Sequence, residues 1–206
     1  MSSTHISLRS FNNNNDLNQS TLVEVHGNER STIYHITDDP FLPIIKTSDV
    51  TVTSINTSPW YMEIQFKNKK DISNIKKIES SIVSLVENRS VDLFGEIFTS
   101  DEIYNDNVII PSLSSHDCMK IYCLSENGLT NIPNFALYEP SKCAITLERL
   151  VPHVICRCAL KPWYVQIYHK TRRFSVLWII EQCMILEEPI NTDCILDADE
   201  LEEECV

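Results

Sequence analysis

The chain reads as a mainly β protein, a small barrel against which one amphipathic helix packs. Two observations carry that expectation. Apolar and polar residues alternate with period two in several short runs. One longer stretch, Ile72–Val86, spaces its apolar residues for a helix instead.

Taken in order, residues 1 to about 30 are polar, rich in Asn and Ser, and read as a disordered arm. The run Asn12–Asn15 carries no packing information. "VTVTSI" (Val50–Ile55) sets valines against threonines, as a half-buried strand does. In Trp60–Asn68, Trp60, Met62, Ile64 and Phe66 fall on one face and Tyr61, Glu63 and Gln65 on the other. Ile72, Ile75, Ile78, Ile82, Leu85 and Val86 then make one helical stripe of about 16 residues, with Asp71 as its expected N-cap. A short helix is expected at Ser100–Tyr104, where Asp101 and Glu102 suit a first turn. Strands are expected again at Met119–Leu124, Lys142–Leu147, Val151–Leu160, Trp163–His169 and Phe174–Leu186. Gly128, Pro133 and Pro140 mark Ser125–Pro140 as a long loop. "KTRR" (Lys170–Arg173) is a tight basic turn joining the last two strands. From Glu187 onward the chain carries nine acidic residues and no basic one, which predicts a solvated tail. The expected organisation is an arm (1–30), one folded domain (31–187) and an acidic tail (188–206).

Composition excludes several classes of chemistry. Glycine occurs only at positions 27, 95 and 128, so there is neither a phosphate-cradling Walker loop nor a dinucleotide fingerprint. The start lacks the apolar core of a secretory signal, and no run approaches the roughly 18 apolar residues of a membrane span. The expectation is a non-secreted intracellular protein of cytoplasm or nucleus, with no membrane partner, whose eight cysteines are reduced. His153, Cys156 and Cys158 suggest a metal, as do His116, Cys118 and Cys123. A strand, however, places His153 opposite Cys156 and Cys158, so convergence on one ion is not expected. The same His–Cys pairs lack an orienting group or oxyanion loop for nucleophilic catalysis. No enzyme activity and no cofactor are expected.

One region departs from the acidic whole. The protein has a formal net charge of −12, yet between Lys142 and Trp178 seven Lys/Arg face a single acid, Glu148. Alternation puts Tyr164, Gln166 and Tyr168 on one face, with Trp163, Val165 and Ile167 on the other. Arg157 and Lys161 alternate with an apolar set in the preceding strand, and Phe174, Val176, Trp178 and Ile180 share a face in the following one. Exposed rings interleaved with Arg157, Lys161, Lys170, Arg172 and Arg173 suit an unpaired polynucleotide. Rings stack on any base, and cations neutralise phosphates. The flexible anionic tail could lie on the same cationic groove and compete for it. A solvated sheet face with a solubility tail is the plainer alternative.

"FSVLWIIEQ" (Phe174–Gln182) resembles the F-x-V-x-W-x-x-x-Q strand of single-stranded DNA-binding proteins of large nucleocytoplasmic DNA viruses. Trp163–Val165 resembles that family's preceding W-aromatic-V segment, and Asp92–Asp106 its aromatic-Phe-Gly stretch and acidic helix. "LPIIKTSDVTV" and "YMEIQFKN" resemble its first strands, so the likeness spans about residues 42–186. Departures are Ser175 where the family often has Gly, Ile179 where it often has Lys or Arg, and a longer basic hairpin. The resemblance implies an oligonucleotide-binding-type barrel, similar in role to phage helix-destabilising proteins. It implies coating of exposed single-stranded DNA during viral replication, repair or recombination, with RNA not distinguished. Trp163, Phe174 and Trp178 carry over as fold residues with stacking left open. Replication proteins would meet the acidic tail, and homo-oligomerisation is left open. The rival expectation is a virion or host-interaction β-sandwich that binds no nucleic acid.

Overall fold

The computed structural model describes residues 5–7, 21–37, 44–125, 128–129 and 135–187. The strands are β1 (His5–Ser7), β2 (Thr21–Gly27), β3 (Ser31–Thr37), β4 (Ile44–Lys46), β5 (Val50–Thr57) and β6 (Trp60–Phe66), then β7 (Ile109–Ile110), β8 (Cys118–Tyr122), β9 (Leu124–Ser125), β10 (Gly128–Leu129), β11 (Ala136–Tyr138), β12 (Ile155–Tyr168) and β13 (Arg173–Glu187). Three helices, α1 (Lys69–Asn88), α2 (Ser90–Phe94) and α3 (Ser100–Asn105), lie between β6 and β7.

Five of these strands close on themselves. β5 pairs β6, β6 pairs β8, β8 pairs β13, β13 pairs β12, and β12 returns to β5. Only β8–β13 is parallel within this ring. In chain order the ring runs first, second, third, fifth, fourth and back to first, the arrangement of an oligonucleotide-binding fold. Closure is narrow: Ile155 faces Thr51 and Cys156 faces Val50. Two hydrogen bonds extend it, Val52 N–H to the Val154 carbonyl at 2.9 Å and His153 N–H to the Val52 carbonyl at 2.7 Å. A two-sheet sandwich is thereby excluded.

The ring encloses the core because its strands keep period two. Val50, Val52, Trp60, Met62, Ile64, Phe66, Met119 and Ile121 all point inward. So do Phe174, Val176, Trp178 and Ile180, each large side chain contributing about 1.5–3 kcal/mol on burial. Helix α1 lays Ile75, Ile78, Ile82, Val83 and Val86 into the same core. Its start lies three residues before the expected one, because the Asn68 side chain, not Asp71, accepts the Lys70 N–H as the cap. Asp71 is buried and accepts the Ser48 N–H at 2.8 Å, tying the helix to the loop before β5. Helix α3 begins at Ser100 as expected, behind a Thr99–Glu102 capping box, and runs one residue past its expected end to Asn105.

Other expectations are corrected. Residues 21–27 belong to no arm: β2 hydrogen-bonds along β3, and β3 pairs β12 at Tyr164–Tyr168. The acidic tail and residues 8–20, including the asparagine run, lie outside the described residues. Lys142–Leu147 is not a strand; only a single bridge, Tyr138–Ala144, and a 3-10 turn at Leu147–Arg149 occur there. The expected loop at Ser125–Pro140 contains β11, which runs parallel to β13. The two strands expected before the basic turn are one continuous strand that passes through Pro162. Proline is tolerated there because the ladder with β13 is irregular between Pro162 and Tyr164.

Candidate nucleic-acid interface

That irregularity decides which side chains share a surface. Before it, Cys156, Cys158, Leu160 and Pro162 point inward; after it, Val165 and Ile167 do. The alternation therefore changes phase at Trp163, as a bulge residue makes it do. Unbroken period two would send Arg157 and Lys161 to one face and Tyr164 and Tyr168 to the other. With the phase change all four sit on the outer side of β12.

Trp163 is the residue displaced, and it does not pack with Val165 and Ile167 as alternation predicts. Its ring stacks on His35 of β3, with centroids 5.2 Å apart and planes 10° from parallel. The Lys161 ammonium lies over the same ring, 3.4 Å from its centre, and Tyr164 lies against the other members at 5.2 Å from His35. Burial and then the Lys161 charge push the His35 pKa down, so its ring is neutral near pH 7. Burial likewise lowers the Lys161 pKa, with Glu181 opposing the shift.

Register carries this surface across the sheet. Lys161 is the partner of Ile179, Ile179 of Tyr122, and Tyr122 of Tyr61. Tyr61 and Tyr122 are 5.8 Å apart, and Lys120 lies 4.9 Å from the Tyr61 ring centre. The next row is Leu177, Tyr164, His35 and Val23. Tyr168 leans back along the outer face from the hairpin end, its hydroxyl donating to the side-chain Oε1 of Gln166 at 3.1 Å and within 3.3 Å of Ser175 Oγ. A groove of about 290 Å³ lies along β8 and β13, with Glu63, Lys120, Tyr122, Tyr168, Ser175 and Leu177 among its lining. From β6 to β3 the face spans four strand gaps, roughly 19 Å at about 4.8 Å each.

The cations expected from sequence divide. Lys161 lies within the ring cluster. Lys170 is exposed in the turn after β12. Arg157 stands on the same strand side, yet roughly 36 Å of strand separates it from Tyr168, and it pairs with Asp49 at 2.6 Å. Arg172 pairs with Glu96 at 2.5 Å, and Arg173 donates to the Asn107 carbonyl at 2.8 Å. Exposed pairs of this kind are worth about 0–1 kcal/mol, little enough for a phosphate to displace the carboxylate. Phe174 and Trp178 are fully buried and are removed from any stacking role. Trp178 Nε1–H donates instead to Ser112 Oγ at 3.0 Å, which holds one lip of the groove.

Sequence reasoning missed His35, Tyr61, Lys120 and Tyr122. Alternation already placed Tyr61 on the polar side of its strand, but only register brings it beside Tyr122 and Lys161. The position opposite Lys161 is Ile179.

Fold and surface together define the class: an oligonucleotide-binding-type ring bearing an outer face of half-buried rings and lysines. No family model matches the chain, and no curated protein sequence does. Among solved structures it is similar to the single-stranded DNA-binding protein from bacteriophage Enc34, at TM-score 0.46 and 9% identity, covering 89% of this chain and 99% of that one. A C-terminal truncation of that phage protein matches at TM-score 0.46 and 10% identity, covering 82% and 96%. The fold assignment rests on strand order and closure, not on these values.

Proposed function

We propose that this chain is a non-catalytic single-stranded DNA-binding protein and that unpaired DNA crosses the outer face of β6, β8, β13, β12 and β3. The observation that carries the reading is the register row Tyr61–Tyr122–Ile179–Lys161, continued by Trp163, Tyr164 and His35. Its rings offer stacking without base preference, and Lys120, Lys161 and Lys170 meet phosphates. Arg157, Arg172 and Arg173 extend the path at its ends when they exchange their present partners for phosphate. In this reading the protein coats strands exposed during viral DNA replication, repair or recombination. Residues 188–206 compete for the face or recruit replication proteins once DNA displaces them.

Titration with a labelled dT oligonucleotide across salt concentrations tests this. Binding should weaken steeply and linearly in log salt. The Tyr164→Ala/Tyr168→Ala pair should lose about 2–6 kcal/mol if both rings stack. Deleting residues 188–206 should tighten binding most at low salt. No binding at low salt rejects the function; unchanged affinity in the tyrosine pair rejects the face; an unaltered deletion variant rejects the tail's role.

A further inference from the structure

Inside the ring, on the opposite side of β12, three cysteines converge. Cys156 and Cys158 point inward two residues apart, and Cys183 of β13 is the register partner of Cys158. The Cys156 and Cys158 sulfurs are 3.7 Å apart, those of Cys158 and Cys183 4.0 Å, and all three lie within 4.8 Å of one another. All three are buried. We propose that Cys156, Cys158 and Cys183 form a binding site for one thiophilic, low-coordinate cation of the monovalent copper class.

The backbone explains the convergence. Cys158 N–H donates to Thr47 Oγ1 at 2.9 Å, and its carbonyl accepts the Thr47 N–H at 2.9 Å. Both groups therefore point away from β13. Cys158 and Cys183 face each other as a non-hydrogen-bonded pair, the closer of the two antiparallel kinds, with Cα atoms about 4.5 Å apart. A metal–sulfur bond of about 2.3 Å in a trigonal plane needs sulfurs about 4.0 Å apart. The thiols thus already stand near the required separation. Register irregularities at Ile155/Cys156 and Ala159/Leu160 bracket the cluster, loosening the ladder where an ion would enter.

The donor set selects the ion. Among the described residues no imidazole or carboxylate joins the three sulfurs. His153 is exposed ahead of β12, and Asp49 is held by Arg157. Zinc prefers four ligands in a tetrahedron, which the apolar walls do not supply. Soft thiolates alone favour monovalent copper. Each sulfur that ionises on binding gives its proton to solvent and forms one metal–sulfur bond, with no change of oxidation state. Two thiolates and one neutral thiol around the ion leave one net negative charge to bury.

The test uses the full chain, reduced and anaerobic, with Cys118, Cys143, Cys194 and Cys205 changed to Ser. Cuprous ion is supplied as its acetonitrile complex against a chromogenic chelator. One equivalent should resist the chelator, X-ray absorption should show a shell of sulfur only, and the melting temperature should rise with added ion. Cys156→Ser, Cys158→Ser and Cys183→Ser should each abolish that retention. Because a buried hydroxyl can unfold the core, Cys158→Ala and Cys183→Ala provide apolar counterparts, with folding followed by circular dichroism. Failure to retain copper, or retention undiminished in folded cluster variants, overturns the proposal and leaves the thiols as packing. Tetrahedral cobalt(II) spectra with tighter zinc than copper binding would overturn the low-coordinate assignment.

Discussion

Trp163→Ala separates the candidate interface from the core more cleanly than any other single change. Of the three tryptophans, Trp60 and Trp178 are 5% and 0% exposed, while Trp163 lies partly open on the outer face. Any quenching of tryptophan emission by bound DNA should therefore come from Trp163. Within the protein its ring contributes a stack on His35, worth about 0.5–1.5 kcal/mol, and a Lys161 contact worth about 0.5–1 kcal/mol. Truncation should leave the fold intact. Against DNA, losing one stacked ring costs about 1–3 kcal/mol, a roughly 5- to 150-fold rise in Kd. The assay pairs anisotropy of a labelled dT oligonucleotide with tryptophan emission on the same samples. The variant should bind more weakly and lose the DNA-dependent quench. Unchanged affinity with an undiminished quench would refute the placement of DNA on this face.

Further outcomes follow from the same geometry. Lys120→Ala and Lys161→Ala should each flatten the log–log salt dependence by about 0.7 if each meets one phosphate of a single strand; a parallel line at lower affinity would mean they act only on the rings. Phe174→Ala should destabilise the fold by about 3–5 kcal/mol in denaturant unfolding, since the ring is fully buried; a loss well below that would question the core. Glu79 is buried on α1 and accepts the Ser112 N–H at 3.1 Å. Burial raises its pKa against the opposing Ser112 hydrogen bonds and Lys76 charge. Its stabilising contribution is then complete below the ordinary glutamate range and lost as pH rises through the raised value. Glu79→Gln should gain melting temperature relative to the parent at pH 7.5 compared with pH 4.5; a difference that does not change with pH would refute this.

Local features of the chain foretold much of the framework. Period two set Trp60, Met62, Ile64 and Phe66 against Tyr61, Glu63 and Gln65, and the helical stripe of α1 was legible from its isoleucines. Both patterns depend only on neighbours within a few residues, so they survive without knowledge of partners. Strand β2 was hidden because TLVEVHG leaves five of its seven residues exposed in a row, and an edge strand carried by one neighbour needs no apolar alternation. Asp71 looked like a cap because capping chemistry is local, whereas its Ser48 bond comes from another segment.

The candidate site follows the same division. The basic, aromatic character of the last hairpin was present in composition, and Tyr164 and Tyr168 could be assigned to one face from alternation. Their meeting with Tyr61, Lys120, Tyr122 and His35 depends on strand register and on ring closure. So does the convergence of Cys183 with Cys156 and Cys158. Side-chain periodicity records which way a residue points from its own strand, a property of the local backbone. Which strand lies alongside, and in what register, is set by the shared core, and the phase change at Trp163 shows that a single bulge can reassign a whole face.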